Sequence, residues 1–196
     1  MNITTLRKVY QLKISLDGAK PPIWRRVLVP SSYTLADLHD VIQISMGWYD
    51  CHMHQFIING EFYGVPEPDF DFDIKPEQSV RLSSVLKREK DKIQYEYDFG
   101  DGWSHTIILE KILPFDPKQK LPYCVTGRKA CPPEDVGGIW GYAEFLEAWD
   151  DPEHPEHANF REWMAEIGDD FDPNIFDRDE VNDMLAQWAS PGDEDG

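Results

Sequence analysis

The chain lacks the features that mark several large protein classes. Its three cysteines, Cys51, Cys124 and Cys131, are odd in number and form no C-x-x-C pair, so we expect reduced thiols rather than a disulfide framework. Its first residues lack the basic head and apolar run of a secretory signal, and no stretch approaches the roughly 20 apolar residues of a membrane-spanning helix. The sequence therefore predicts a soluble, cytoplasmic protein with no membrane partner.

Basic residues are scarce in the last third of the chain. Residues 1–133 hold 17 acids and 17 Lys or Arg, whereas residues 134–196 hold 20 acids against only Arg161 and Arg178, so the net charge of −18 lies there. Such a region repels a phosphate backbone, and no stretch offers the clustered Lys and Arg of a nucleic-acid reader, so direct nucleic-acid binding is disfavoured. The acids either solvate the outer faces of helices or attract a protein partner with a basic surface.

The chain does contain enough apolar residues for a substantial core. Of its 196 residues, 41% are hydrophobic and 13% aromatic, which fits one globular domain. We expect a single α+β domain over residues 1–189, strand-rich at 8–112, with a loop and polar motif at 113–141 and helices at 142–189. A frayed acidic tail is expected at residues 190–196.

Apolar alternation and capping signals predict an N-terminal ββα unit. Residues 10–16 alternate between apolar and polar side chains, and an apolar run at 24–29 follows after a turn, which indicates a hairpin. Thr34 with Asp37 three residues later resembles a capping box, and the helix that begins there is expected to end at Gly47.

Further hairpins are predicted downstream. Asn59-Gly60 separates two short apolar runs, and both residues readily adopt the positive φ angles of a two-residue turn. Residues 66–79 are expected to form a loop. Residues 93–99 alternate again, and a three-residue loop at 100–102 leads into a strand at 103–110. That register places Tyr97 opposite His105, whose side chain shares the apolar face of the strand.

The last third changes to helical periodicity. Three amphipathic helices are predicted, and Asp177 with Glu180 is expected to cap the last. Strands followed by helices favour an α+β fold in which a mixed or antiparallel sheet is covered by the C-terminal helices. The apolar positions are Tyr142, Phe145, Leu146 and Trp149, then Phe160, Trp163, Met164 and Ile167, then Val181, Met184, Leu185 and Trp188.

Two polar blocks, at residues 97–105 and 131–138, stand out because packing alone does not explain their residue choice. Imidazole, thiolate and carboxylate groups are the ligands of zinc and other divalent transition metals. The alternatives remain open: His105 can be a satisfied core histidine, and the cysteines can be small buried apolar groups. The candidate polar site comprises His52, His54, Asp98, Asp101, His105, Arg128, Glu134 and Asp135, and the candidate metal ligands are His52, His105, Cys124 and Cys131.

Arg128 also has two interpretations. It can clamp an anionic ligand, or it can pair with a structural carboxylate such as Glu134 or Asp135 once the chain folds back.

Several of these segments together resemble one protein family. They are residues 10–14 and 22–26, Gly47-Trp48 before His52, residues 97–105, and residues 127–138 with Gly141-Tyr142. In this order, over roughly residues 8–185, they resemble the plasmid pRiA4b ORF-three-like family. The resemblance implies a compact α+β domain found on plasmids, in transposon-associated contexts and in chromosomes, with no established biochemical activity. Some members carry a transposon-passenger or resolvase-like label, which the acidic surface of this chain does not favour.

Two hypotheses of function follow. The first is a noncatalytic binding module, associated with mobile elements, whose acidic helical face or aromatic-rich sheet engages a protein partner. The second is a metal-dependent, hydrolase-like enzyme that uses His52, His54, His105, Cys131 and nearby acids. The absence of a complete catalytic motif favours the first.

Overall fold

The computed structural model describes residues 8–66, 74–167 and 171–190. Within them, eight strands form one mixed sheet and five α-helices accompany it. The strands are β1 (Lys8–Leu16), β2 (Trp24–Pro30), β3 (His54–Ile58), β4 (Glu61–Gly64), β5 (Ile74–Pro76), β6 (Lys92–Tyr97), β7 (Trp103–Pro114) and β8 (Tyr123–Arg128). The helices are α1 (Leu35–Met46), α2 (Leu82–Val85), α3 (Gly138–Asp150), α4 (His157–Glu166) and α5 (Arg178–Ala189).

The strand order across the sheet is β5-β4-β3-β6-β7-β1-β2-β8. All neighbouring strands are antiparallel except β4 and β5, which are parallel. The predicted α+β fold class, with helices following a strand-rich region, is confirmed. No helix in the described ranges is long and apolar enough to cross a bilayer.

The predicted ββα unit is present. β1 and β2 pair as a hairpin, and apolar side chains of β1 such as Leu12 and Ile14 are fully buried while alternate residues are half-buried. Thr34 and Asp37 form the reciprocal capping box at the start of α1, and Gly47 ends it in the left-handed conformation at φ 97°.

The region after α1 was predicted in part. Asn59 and Gly60 turn β3 into β4 with φ angles of 53° and 82°, as expected. The predicted loop over residues 66–79 was wrong at its end, because residues 74–76 form β5 and residues 77–79 a 3-10 turn. A three-residue strand carries too little alternation to be recognised. Residues 67–73 of that prediction lie outside the described residues.

The register of the β6–β7 hairpin differs from the prediction by two residues. Tyr97 lies opposite Trp103, and His105 lies opposite Tyr95. The turn begins earlier because Asp98, at φ 55°, uses its side chain to accept hydrogen bonds from the backbone N–H groups of the two residues that follow Phe99. Since side chains alternate with a period of two, the shift leaves His105 on the predicted buried face.

The three C-terminal helices form as predicted, and Asp177 caps α5 by accepting from the backbone N–H groups of Asp179 and Glu180. Most of their predicted apolar residues join the same buried cluster as the sheet, but Ile167 and Met184 are exposed, which corrects their predicted inward position. One strand was missed: β8 lies in the predicted loop segment 113–141. Its edge is covered by α5, where the Asn182 amide both accepts from the Cys124 N–H at 2.7 Å and donates to the Cys124 carbonyl at 3.0 Å. Apart from Ser190, the predicted tail lies outside the described residues.

Candidate metal-binding site

Three segments meet at the end of the sheet where β6 ends and β3 and β7 begin. They are residues 48–54 after α1, the turn at 98–102, and residues 131–137 before α3. Backbone hydrogen bonds tie the first two together, because the Asp98 N–H donates to the Met53 carbonyl at 2.9 Å. The Gly137 N–H donates to the Asp101 carboxylate at 3.1 Å and ties the second to the third. The two polar blocks of the sequence are therefore in direct contact.

Glycine allows this close approach. A Cβ on Gly138 would lie 2.3 Å from the Asp101 carbonyl oxygen, so no other residue fits there without moving the turn. Gly138 also has a φ of 68°. The requirement explains why the second block carries glycine where α3 begins.

His52 lies at the centre of the contact. Its Nε2 atom is 3.2 Å from Asp135 Oδ1, 3.6 Å from Asp98 Oδ2 and 3.9 Å from Glu134 Oε2. Nε2 is nevertheless buried and has no hydrogen-bond partner. Ligands that share one ion at about 2.0–2.2 Å lie about 3–3.6 Å from one another. Two of the distances match that spacing. Donor atoms of His52, Asp98 and Asp135 lie within 4.8 Å of one another, and Glu134 belongs to a second group that shares His52.

Glu134 and Asp98 each accept hydrogen bonds with one carboxylate oxygen, and the other oxygen of each faces His52. Glu134 Oε1 accepts from the Tyr97 hydroxyl and from the Tyr49 N–H, both at 3.0 Å. Glu134 Oε2 is buried without a partner. Asp98 Oδ1 accepts from Gly100 N–H at 2.9 Å, while its Oδ2 faces His52. Carboxylates oriented by neutral donors in this way are typical of metal ligands fixed by surrounding hydrogen bonds.

Tyr97 acts as the neutral donor. Burial, together with the hydrogen bond to Cys51 and the charge of Glu134, holds the pKa of Tyr97 above its ordinary value. The phenol therefore stays protonated, and its O–H group donates a hydrogen bond to the Glu134 carboxylate. Trp48 packs on the Tyr97 ring at a centroid distance of 4.9 Å, and its indole N–H donates to the Pro132 carbonyl at 3.0 Å. These contacts link α1, β6 and the second polar block.

Cys51 adds a thiol beside the acids. Its sulfur lies 3.7 Å from the Tyr97 hydroxyl, and donor atoms of Cys51, His52 and Glu134 all lie within 4.8 Å of one another. Burial and the charges of Glu134 and Asp135 raise the pKa of this thiol. In the absence of a cation the sulfur is therefore protonated at neutral pH.

Three acids in these segments have a left-handed backbone conformation. Asp50, Asp98 and Asp135 have φ angles of 53°, 55° and 57°. Aspartate tolerates this left-handed region better than most residues, at a modest conformational cost. Three acids with this geometry at one place are consistent with a functional arrangement.

His54 belongs to a second, neighbouring cluster. Its Nε2 pairs with Glu77 at 2.9 Å, and its ring stacks on His39 with centroids 3.5 Å apart. His39 in turn contacts Asp50 at 2.9 Å and the Tyr95 hydroxyl at 2.8 Å. Burial and the neighbouring His54 lower the pKa of His39 to about 4. The ring nitrogens that face this cluster already have partners, which distinguishes it from the site around His52.

The remaining predicted site residues, His105, Cys124, Cys131 and Arg128, lie outside the His52 site. His105 is buried on β7, with Nδ1 donating to the Trp103 carbonyl at 3.1 Å. Burial raises the pKa of the thiols of Cys124 and Cys131. Among the residues that the structure describes, these three side chains join no group of potential metal ligands. Arg128 is exposed, and its carbonyl accepts from the buried Arg25; the predicted pairing with Glu134 or Asp135 is not present.

The structure thus brings together His52, Asp98, Glu134 and Asp135 from the predicted set, with Asp101 supporting the contact between the loops. The sequence missed Cys51, Tyr97 and Asp50. Asp50 and Cys51 directly precede His52 in the chain, and Tyr97 directly precedes Asp98. Their position next to predicted site residues was therefore an available signal. For His39 and Glu77 the sequence offered no signal, because the fold alone brings them to His54.

Comparison with known proteins identifies the family of the chain. The family model described as Plasmid pRiA4b ORF-3-like protein matches residues 8–180. The chain belongs to this family. It is 38% identical over 186 residues to the "Uncharacterized protein y4hQ" of Sinorhizobium fredii, covering 92% of this chain and 94% of that protein.

A solved structure shares the fold of this pRiA4b ORF-3-like chain. The crystal structure of protein of unknown function MM3350 from Methanosarcina mazei Go1 superposes with a TM-score of 0.80 at 41% identity. The match covers 90% of this chain and 99% of that one. Both names leave the function open, so the geometry of the site is the basis for a functional proposal.

The contact between the two blocks gives a first prediction. Gly138→Ala should destabilise the protein by about 2 kcal/mol more than Gly102→Ala, because overpacking against backbone adds to the conformational cost. Gly102 is a matched control, since it has the same φ of 68° but no atom within 4 Å of the position that an alanine Cβ would take. Urea unfolding of both variants measures the difference, and equal losses would show that the close approach is unimportant.

Burial of His105 gives a second prediction. Burial lowers the pKa of His105 to about 4, whereas the ring in the unfolded chain titrates near its ordinary value of about 6.5. The unfolded chain therefore binds a proton that the folded chain does not, and stability is complete above pH 6.5 and lost as the pH falls toward 4. The loss from His105 should be about 3 kcal/mol.

NMR titration of the folded, isotope-labelled protein tests this directly for the His105 ring, separately from His39. The ring should stay neutral down to about pH 4–5. A midpoint near 6.5 in the folded state would contradict the argument. Chemical denaturation of wild type and His105→Gln across the same pH range should show a shallower pH dependence in the variant.

Proposed function

We propose that the protein binds one divalent transition-metal ion through His52 Nε2 and Glu134 Oε2, with Asp98 Oδ2 and Asp135 Oδ1 as further candidate ligands beside His52, and that the ion supports hydrolase-like chemistry. The observation that carries the proposal is a pair of buried polar atoms, His52 Nε2 and Glu134 Oε2, that lack hydrogen bonds and lie 3.9 Å apart. Each such atom costs about 1–3 kcal/mol when it stays unpaired. A shared cation would satisfy both.

A protonated His52 is the competing explanation. A charge-assisted hydrogen bond from imidazolium to carboxylate is normally about 2.7–2.9 Å long. All three carboxylate contacts of His52 are longer, and none has hydrogen-bond geometry. The spacing therefore fits ligands arranged around an ion better than an ion pair.

The donor set indicates the class of metal. One imidazole and three carboxylates suit Mn²⁺, Fe²⁺ or Zn²⁺, and Cys51 as a further donor would favour zinc. The side chain of Asp135 is 70% exposed, so the ion would have a solvent-facing side on which water can bind. A divalent ion lowers the pKa of bound water and thereby supplies a hydroxide near neutral pH.

Metal binding is the third prediction. Metal-stripped protein titrated with Mn²⁺ or Zn²⁺ should bind one ion per chain, and at 100 times the dissociation constant the ion should stabilise it by about 2.7 kcal/mol. For a protein of this size that corresponds to a rise in Tm of about 5–10 °C. Calorimetric titration and thermal unfolding measure the two effects.

Variants locate the site. His52→Ala and Glu134→Gln should each weaken binding at least 100-fold, whereas His154→Ala, a histidine outside the site, should not change it. Unchanged binding in both site variants would exclude this site.

The hydrolase-like activity is tested separately with model phosphate and carboxylate esters. This part of the proposal fails if metal-loaded wild type and metal-loaded His52→Ala hydrolyse the esters equally.

A noncatalytic binding module with an acidic helical face is the second candidate function. The two arginines of the last third are already engaged: Arg178 pairs with Asp179 at 2.6 Å, and the Arg161 guanidinium lies 3.6 Å from the Trp149 ring centroid. Among the described residues of this region, no other acid forms an ion pair with Lys or Arg, which supports attraction of a protein with a basic surface. We retain with this candidate a cytoplasmic, mobile-element-associated role, and the three free cysteines agree with a reducing compartment.

The fourth prediction concerns this helical face. If it binds a basic protein, Glu144→Lys combined with Glu147→Lys on the exposed face of α3 should reduce retention on an immobilised basic protein such as histone at least tenfold in low salt. Lys87→Glu combined with Lys90→Glu, on a distant turn, is the matched control for charge reversal. If net charge alone controls retention, the Lys87/Lys90 pair should raise retention by a factor comparable to the loss in the Glu144/Glu147 pair, and that result would contradict a specific face.

A further inference from the structure

Four large apolar side chains lie in or directly after the three segments that form the His52 site and are exposed to solvent. They are Tyr49, Met53, Phe99 and Trp140, and Trp140 and Tyr49 are 85% and 77% exposed. Burying such side chains against an apolar partner is favourable because it removes their surface from water. We call these four residues the apolar rim.

The apolar rim is one surface because its members come from the three segments that contact one another. Tyr49 donates its N–H to Glu134, and the Met53 carbonyl accepts from Asp98. Phe99 follows Asp98 in the turn that packs on Gly138. Trp140 lies two residues after Gly138 in the chain. Exposed apolar side chains grouped around polar ones are typical of interaction sites, whereas single scattered ones are not.

The same three segments are acidic. Residues 47–54, 97–105 and 131–141 contain five acids and no Lys or Arg. The side chains of Asp50 and Asp135 are 53% and 70% exposed. A divalent ion at His52 would offset only part of this charge. The surface therefore favours a ligand that is both cationic and apolar.

The spacing of the rim favours a chain-like ligand over a small cation. In the described part of the protein, the rings of Tyr49, Phe99 and Trp140 make no contact with one another, so they do not form the closed aromatic cage that encloses an alkylammonium group. Separated apolar anchors around acids suit a polypeptide whose apolar and basic side chains reach different points.

We propose that the apolar rim docks a segment of a partner protein in which Lys or Arg lies next to large apolar side chains. The apolar side chains pack on Tyr49, Met53, Phe99 and Trp140, and the basic group faces Asp50 and Asp135. This docking surface is distinct from the acidic face of α3.

A random 12-residue peptide library displayed on phage tests the proposal, with the full-length protein as bait. Peptides retained by wild type are counter-selected against the double variant Tyr49→Ser/Trp140→Ser. The selected peptides should be enriched in Lys or Arg beside Trp, Phe, Leu or Met. A synthetic peptide of the enriched sequence should bind the double variant at least tenfold more weakly than wild type in fluorescence anisotropy.

Matched controls separate the rim from other surfaces. Phe62→Ser and Ile175→Ser, exposed apolar residues outside the rim, should leave peptide affinity unchanged, and so should the charge reversal at Glu144 and Glu147. Because all of these side chains are exposed, the variants should keep the thermal stability of wild type, which is measured in parallel.

Three results would overturn the proposal. The selected peptides can lack basic residues, their binding can survive the double variant, or the library can yield no binder while the wild type, but not the double variant, dimerises in sedimentation equilibrium. The last result would assign the rim to a second copy of this chain.

Discussion

The close contact between the Asp98–Gly102 turn and the start of α3 is the constraint on which the rest of the site depends. Gly138 lets the chain pass against the Asp101 carbonyl, and the Gly137 N–H holds the Asp101 carboxylate. With the two segments fixed, Glu134 comes within hydrogen-bonding distance of Tyr97, and His52 comes to face Asp98 and Asp135. The glycines of both polar blocks thus have a backbone role, while the acids between them are free for chemistry.

The electrostatics of the site follow from that arrangement. Neutral donors, the Tyr97 hydroxyl and backbone N–H groups, hold one oxygen of each buried carboxylate. Among the described residues no Lys or Arg forms an ion pair with these acids. Burying like charges without a counter-charge is costly, and the proposed cation would remove that cost. The carboxylates of the neighbouring His39–His54 cluster differ in that each already has an imidazole as a hydrogen-bond partner.

Much of the fold could be predicted because local signals and tertiary structure agree. The alternation in β1, the capping box of α1 and the Asn59-Gly60 turn each act over a few residues. β5 and β8 were missed because their strand character comes from pairing with neighbours rather than from their own pattern. The same distinction holds at the site: His52, Asp98 and Glu134 stand in recognisable motifs, whereas the separation of His105 from them depends on which sheet face each side chain takes.

Anomalous diffraction from a crystal equilibrated with Mn²⁺ tests the central claim most directly, because it locates an ion without relying on activity. The account predicts one strong peak at about 2.0–2.3 Å from both His52 Nε2 and Glu134 Oε2. A fully equilibrated crystal without a peak there, or with its peak beside His105 or the cysteines of β8 and the second block, would contradict it.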